Sequence, residues 1–300
     1  MDFVNVLDIG VGGIAAVVNL AASLKEDPGS VAGSRSGLKV GLFFEKPSTR
    51  TRVSCEVGTA ELGAQPLVLK QDEVGLGKRE TPADIARVLD RYLDVLAFRV
   101  FDHRNLEIVA EHADAPVINL LSDREHPCQA LADLLTVMEH RPLRGAAVTY
   151  VGDGNNVAHS LMLAGAAVGM SVTIAAPPGY EPDPAILAKA RAMATDGAEI
   201  SVSDDPNAAV EGADVVYTDV WTSMGDESEA IERRERFVPF RVNEALFAAA
   251  ADDAIFMHCL PAHRGEEVTD EVMDHPRSRV YDQSENRLHS FKAILHTLAG

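Results

Sequence analysis

The segment Ser48-Thr49-Arg50-Thr51-Arg52 brings three hydroxyls and two guanidiniums together, directly after an apolar run that ends Leu42-Phe43-Phe44. The residues that follow, "VSCEVGTAE", read as a helix. The cluster therefore falls at a helix N-terminus, where free backbone N–H groups and the helix dipole favour an anion. Ser48, Thr49 and Thr51 add hydroxyl donors, and Arg50 adds a planar fork suited to phosphate. A plain N-cap with surface arginines would account for any one of these residues; their density favours an anion site. Glu45, Lys46 and Pro47 read as shaping the turn.

Four further places could do chemistry. Arg99 closes the apolar run "VLAFRV"; ligands of parallel sheets gather at the carboxyl ends of strands, so it can join the same anion. In "SDREHPCQALADLL", His126 precedes a proline at a helix start and Gln129 follows one turn later on the same face. Together an imidazole and an amide can bind a carbonyl oxygen and an amide NH2; a capping His with a solvent-facing Gln is the equal alternative. Asp219 ends "DVVYTDV", with Ser223-Met224-Gly225 beyond it. A carboxylate beside loop backbone groups suits an α-amino group, and a loop with a turn glycine is the plainer reading. Cys259 ends "AIFMHCL" just before Pro261. Its thiol could be a nucleophile, a ligand or an inert core residue, and with no His or Asp partner fixed by spacing the core is the usual outcome.

The elements that must position these residues alternate almost throughout. Strands are expected at 38–44, 66–70, 95–100, 116–121, 146–152, 171–177, 199–203, 214–220, 254–260 and 279–282, with helices such as 81–92 and 129–141 between them. Such alternation predicts an α/β protein with parallel sheets and helices on both faces. Gly, Pro and charge at "EHRPLRG" mark a joint. It separates a first domain at about 1–140 from a second at about 141–282. The stretch 283–300, with Leu288, Phe291, Ile294, Leu295 and Leu298 at helical spacing, reads as a terminal helix that must pack on something.

Bulk properties narrow the function. A chain of 300 residues is long for one core, so two domains are expected. With 46% apolar residues and 24% charged it is globular in composition. The net charge of -19 argues against nucleic acid and anionic membranes as partners, so an anionic ligand must be held by a local cluster. Basic residues are 20 Arg against 7 Lys, which fits a salt-adapted cytoplasm or an acidic protein from a GC-rich genome. Cys55, Cys128 and Cys259 lie far apart, which argues against a zinc site and a disulfide framework. The N-terminus lacks a basic leader, and a cytoplasmic location is expected. The uncharged stretch from Ser160 to Tyr180 divides into a buried helix and a buried strand rather than a membrane span.

Two glycine patterns imitate nucleotide-binding turns. Gly10-x-Gly12-x-x-Ala15 is not followed by a second strand ending in an acid, which the dinucleotide fingerprint requires. Gly152-x-Gly154 is a true strand-to-helix turn without the third small residue. Asn155 and Asn156 offer neutral donors and acceptors there instead.

Taken in order, Ser48 to Arg52, His126-Pro127-Cys128-Gln129, Asp219 with Ser223-Met224-Gly225, and His258-Cys259-Leu260-Pro261 resemble the ornithine carbamoyltransferases of the aspartate/ornithine carbamoyltransferase family, from about Leu38 onward. The Ser-Met-Gly loop and His-Cys-Leu-Pro resemble the ornithine branch; a His-Pro-Leu-Pro-type segment would point to aspartate. The resemblance implies two doubly wound parallel-sheet domains, one for carbamoyl phosphate and one for the amino acid, with the C-terminal helix returning to the first. It implies a homotrimer or a multiple of trimers, with active sites between subunits, and neither cofactor nor metal. The implied reaction moves the carbamoyl group of carbamoyl phosphate to the δ-amine of L-ornithine, giving L-citrulline and phosphate. A related carbamoyltransferase acting on aspartate, an acylated ornithine or putrescine is the alternative. By the same resemblance Ser48, Thr49, Arg50 and Thr51 hold the phosphate. Arg99, His126 and Gln129 hold the carbamoyl group and share the phosphate charge. Arg287 completes that side, Asn156, Asp219, Ser223 and Met224 bind ornithine, and Cys259 and Leu260 lie at the reacting amine. The chain departs from the family in its glycine-rich "DIGVGGIAAV", which implies a loosely started first helix. Lys78 and Pro82 in the segment 72–84 also depart, and no role is assigned there.

Overall fold

The chain, described here by a computed structural model over residues 1–222 and 229–299, divides into two compact units. The first comprises Met1–Leu135 and Glu285–Gly300, the second Thr136–Ser284. The division falls inside a helix, Pro127–Met138.

In the first unit a 3-10 turn, Val6–Ile9, leads into α1 (Gly10–Glu26). Then follow β1 (Lys39–Phe44), α2 (Thr49–Glu61), β2 (Gln65–Lys70), α3 (Gln71–Val74), α4 (Pro82–Leu89), β3 (Val95–Arg99), α5 (His103–His112), β4 (Val117–Leu121) and α6 (Pro127–Met138). The strands form one parallel sheet in the order β2-β1-β3-β4. β1 and β3 are buried over nearly their whole length, as strands covered on both faces must be, and so they read as unbroken apolar runs. Phe43 and Phe98 meet between them with ring centroids 5.0 Å apart. The chain winds out from β1 to β2, then returns to β3 on the other side of β1. Between β1 and β3 it therefore leaves a crevice at the carboxyl ends, the place where ligands bind in such sheets.

The second unit repeats this plan. It contains β5 (Ala147–Val151), α7 (Asn156–Val168), β6 (Ser171–Ala175), α8 (Pro184–Met193), β7 (Ile200–Ser203), α9 (Pro206–Val210), β8 (Val215–Thr218), α10 (Ala230–Phe237), α11 (Glu244–Ala248), β9 (Ile255–His258) and α12 (Asp270–Met273). Its parallel sheet runs β7-β6-β5-β8-β9, so the winding reverses between β5 and β8. Tyr150 and Tyr217, side by side on those two strands, are fully buried with ring centroids 5.4 Å apart. The final helix is α13 (Val280–Leu298), whose residues from Glu285 on belong to the first unit.

The uncharged stretch after Ser160 is divided between α7 and β6, as its composition implied. No strand precedes Gly10 among the described residues, so that glycine pattern does not open a dinucleotide-binding turn. α1 starts without a side-chain cap. With the turn before it, Val6–Glu26 is long and apolar enough to cross a membrane by length and composition, but Ile14, Val17, Val18, Ala21 and Leu24 are buried in the unit.

One expectation is overturned: 279–282 is no strand. Val280, Gln283 and then Asn286 and Arg287 are buried at helical intervals, and Val280 opens α13. Four residues with a valine and a tyrosine are too few to distinguish a strand from a helix start; the periodicity that follows decides.

Candidate active site

In the first unit the anion cluster is built where the sequence places it. β1 ends at Phe44, and the turn is tied back by Glu45, whose N–H donates to the Arg99 carbonyl (2.9 Å) and whose carboxylate accepts from the Phe101 N–H (2.9 Å). Lys46 lies over the Phe101 ring, 4.2 Å from its centre. Glu45 and Lys46 thus shape the turn, as read from the sequence. Ser48, extended, precedes α2, and the first helical bond runs from the Arg52 N–H to the Ser48 carbonyl (3.0 Å). The N–H groups before it are those a helix start offers to an anion. Thr49 is exposed and Arg50 half-buried on this turn, while Arg52 points away to Glu56 (2.6 Å).

Thr51 is the centre of the cluster. Its buried hydroxyl receives Arg287 Nη2 at 2.6 Å, Ser48 Oγ at 3.1 Å and Arg99 Nη1 at 3.5 Å. One hydroxyl oxygen has two lone pairs, so three donors oversubscribe it, and the surplus suits an anion placed beside it. Arg99, the last residue of β3, is aimed here by a slip of register against β4, where Phe98 pairs with Asn119 but Arg99 with Leu121. Both Arg99 and Arg287 are only 7% exposed. His126 stands just before α6, its carbonyl accepting from the N–H of Gln129 and Ala130. Burial first, then the positive charges of Arg287 and Arg99, hold its imidazole well below the usual range. It is therefore neutral at neutral pH, with one ring N–H to donate. Gln129 is turned by Asp133: Nε2 donates to Oδ1 at 2.8 Å. A carboxylate accepts only, so this contact fixes the amide's orientation and leaves buried Gln129 Oε1 without a protein donor. Thr51, Arg99 and Gln129 are thus fixed by side-chain contacts within the first unit, and buried His126 stands at the start of α6.

In the second unit the crevice between β5 and β8 gathers around Asp219. Cys259, directly after β9, donates its thiol to Asp219 Oδ1 at 2.7 Å, and Asn155 Nδ2 donates to Oδ2 at 3.1 Å. Asn155 Oδ1 in turn caps α7 by accepting from the N–H of Val157 and Ala158, and accepts from Tyr150 OH at 3.3 Å. Burial first, then the Asp219 charge, push the Tyr150 phenol well above its usual value, so it stays a donor. Gly154 permits this turn: a Cβ there would stand 2.2 Å from the Pro182 nitrogen. Asn156 is the first residue of α7. Leu260 follows with φ +58° and packs on the unit's core. Its N–H donates to His258 Nδ1 (2.9 Å), so His258 Nε2 carries the proton and faces Glu267 Oε1 at 3.1 Å, both residues fully buried. Ser223 and Met224 lie outside the described residues.

The sequence did not identify Asp133, Tyr150 or Glu267, which contact Gln129, Asn155 and His258 from four, five and nine residues away, and it named Asn155 only beside Asn156 as a neutral donor and acceptor. The cap pattern, Asn directly before an apolar helix, was the available signal for Asn155. Cys55 and Cys128 are inert core thiols, with burial pushing Cys128 up to about 12 and Cys55 higher. Among the described residues, two groups of ligand types have their ligand atoms within 4.8 Å of one another, Asp219-His258-Cys259 and His263-Glu266-Glu267. In the first, both His258 nitrogens already serve the protein.

Known proteins match over the whole chain. The family profile described as the carbamoyl-P binding domain of aspartate/ornithine carbamoyltransferase matches residues 1–139, and its Asp/Orn binding domain matches 144–298. An ornithine carbamoyltransferase of Anoxybacillus flavithermus is 50% identical over 301 residues, covering 99% of this chain and 96% of that protein. An anabolic ornithine carbamoyltransferase of Pyrococcus furiosus is 54% identical over 266 residues, 88% of this chain and 84% of its own. A solved structure of the ornithine carbamoyltransferase from Pyrococcus furiosus superposes with a TM-score of 0.96 at 49% identity, covering 100% of this chain and 97% of that one.

Proposed function

The chain belongs to the aspartate/ornithine carbamoyltransferase family, and from that premise we propose that it transfers the carbamoyl group of carbamoyl phosphate to the δ-amine of L-ornithine, giving L-citrulline and phosphate. The observation that carries the acceptor is the buried Asp219 carboxylate, engaged by Cys259 and Asn155 in the unit that matches the Asp/Orn binding domain. It suits the ammonium of a free amino acid.

The phosphate takes the N–H groups at the start of α2, the hydroxyls of Ser48, Thr49 and Thr51, and the guanidiniums of Arg50 and Arg287. Arg99 and the N–H of neutral His126 address the carbamoyl oxygen, and Gln129 Oε1 takes the amide NH2. Asp219, with Asn156, Ser223 and Met224, holds the α-amino and carboxylate groups of ornithine, while Cys259 and Leu260 border the δ-amine. The deprotonated amine attacks the carbamoyl carbon, a C–N bond forms, and the C–O bond to phosphate breaks. The second amine proton leaves on the phosphate. Negative charge grows on the carbonyl oxygen and the departing phosphate, where fixed donors are worth most; each supplies about 3 kcal/mol in such sites. Positioning two small substrates supplies much of the rest. This chemistry requires neither a metal nor a covalent enzyme intermediate.

Carbamoyl phosphate binds first and organises the amino-acid side; equal ornithine affinity with and without a carbamoyl phosphate analogue in calorimetry would refute that order. The active assembly is a homotrimer or a multiple of one, working in the cytoplasm. The deciding assay offers labelled carbamoyl phosphate with ornithine, an N-acylated ornithine, aspartate or putrescine. Labelled citrulline from ornithine is expected, and faster transfer to any of the other three overturns the reading.

A further inference from the structure

Arg287 reaches Thr51 from α13, and α13 is seated on α2 by a contact that does not touch the substrates. Gly58, one turn before the end of α2, has no side chain between the helices: a Cβ there would lie 3.0 Å from Lys292 Cγ, 3.2 Å from Leu288 Cδ1 and 3.4 Å from Phe291 Cδ1. The Lys292 stem therefore runs across the α2 backbone, and its ammonium, 0% exposed, meets Glu61 Oε2 at 2.6 Å. Glu61 lies one turn beyond Gly58 on α2. Arg287 stands one turn before Phe291 on α13, at the edge of the face that covers Gly58.

A buried ammonium is a poor way to gain stability. Its desolvation offsets the attraction, and an apolar side chain of similar volume does as well or better. What an ion pair adds over an apolar contact is register, because only one rotation and one height of α13 put Nζ on Glu61. We propose that the Lys292–Glu61 pair, set over Gly58, is a positioning device that fixes the register of α13 on α2 and so places the Arg287 guanidinium at Thr51 for carbamoyl phosphate. This rests on the reading of Arg287 as a carbamoyl phosphate ligand.

The test is a double-mutant cycle with steady-state kinetics and thermal melting. Lys292→Met keeps the stem and removes the charge. It should raise KM for carbamoyl phosphate roughly 5- to 10-fold, the scale of a misplaced binding group, with kcat and the KM for ornithine within about twofold and Tm not lowered. Glu61→Gln, on the half-exposed partner, should shift the same constant in the same direction and decides the matter if Lys292→Met does not fold. In an Arg287→Ala background, Lys292→Met (or Glu61→Gln) should have no further effect on KM, since the two residues act through one contact. An unchanged KM in the single variant, or full additivity with Arg287→Ala, overturns the inference. Arg287→Ala without effect on KM would instead remove the assignment of Arg287 beneath it.

Discussion

The two site clusters occupy the same place in two similar folds and carry opposite charge. In the first unit three guanidiniums, Arg50, Arg99 and Arg287, belong to the region around the Thr51 hydroxyl and a histidine held neutral. In the second, one carboxylate, Asp219, is surrounded by a thiol, an amide and, behind the amide, a phenol. Each lies where the winding of a parallel sheet reverses, so topology sets the location and the residues just past the strand ends set the sign. The molecule's net charge of -19 works with one cluster and against the other. An amine is drawn by the whole surface, whereas an anion is held only where arginines and N–H groups are concentrated.

This contrast can be broken from either side. The largest effect is expected from Arg50→Ala, which should cut kcat/KM for carbamoyl phosphate about 100- to 1,000-fold, the scale of one lost oxyanion donor, with Tm unchanged. A loss under tenfold would show that the helix start alone holds the phosphate. Next comes Asp219→Asn. By the usual cost of unpairing a charged hydrogen bond, roughly 2–5 kcal/mol, kcat/KM for ornithine should fall about 100-fold. Inorganic phosphate binding, measured by calorimetry, should not change; if it weakens, the two clusters are not separate in function. A third test uses pH. An amine like that of lysine has a pKa near 10.4, so between pH 6.5 and 8 the free-amine fraction, and with it kcat/KM for ornithine, should rise about tenfold per unit. The carbamoyl phosphate value should stay nearly flat, and parallel slopes would contradict the division of labour.

The smallest effect concerns stability. His126 has its folded pKa depressed below 6.5, so as pH falls through 6.5 the unfolded chain takes up a proton that the folded chain refuses. Stability is full above that pH and declines below it, by at most about 1.4 kcal/mol per pH unit for this group. His126→Gln should flatten the decline in urea melts between pH 6.5 and 5; an unchanged slope would assign it to other buried histidines such as His103 and His289.

Much of this was legible in the sequence because both folds announce themselves by local pattern. β1, β3, β8 and β9 are apolar runs bounded by turns, and Thr51, Arg99, His126, Asp219 and Cys259 stand at their ends or at helix starts, where position alone suggests exposure to a ligand. The segment 279–282 was misread because four residues hold too little periodicity. Asp133, Tyr150, Glu267 and Lys292 were not legible for a different reason. Lys292 meets Glu61 only because the fold brings α13 onto α2, which spacing along the chain does not record. Asp133, Tyr150 and Glu267 stand four, five and nine residues from Gln129, Asn155 and His258, and there side-chain direction rather than spacing decides the contact. Asn155 caps α7 and meets Asp219 while Asn156 opens the helix, a distinction of backbone angle that neighbouring identical side chains conceal.

The division of the first unit into residues 1–135 and 285–300 also makes its cluster depend on both ends of the chain. Translation proceeds from the N-terminus, and domains fold as they emerge. A chain stopped at residue 284 contains all nine described strands, yet not the guanidinium of Arg287 that meets Thr51. Such a chain has the strands of both sheets without the residue that completes the cluster around Thr51. It would carry nearly all of the fold and a hydroxyl hub missing its nearest donor, so the last helix separates a nearly folded chain from one with its cluster complete.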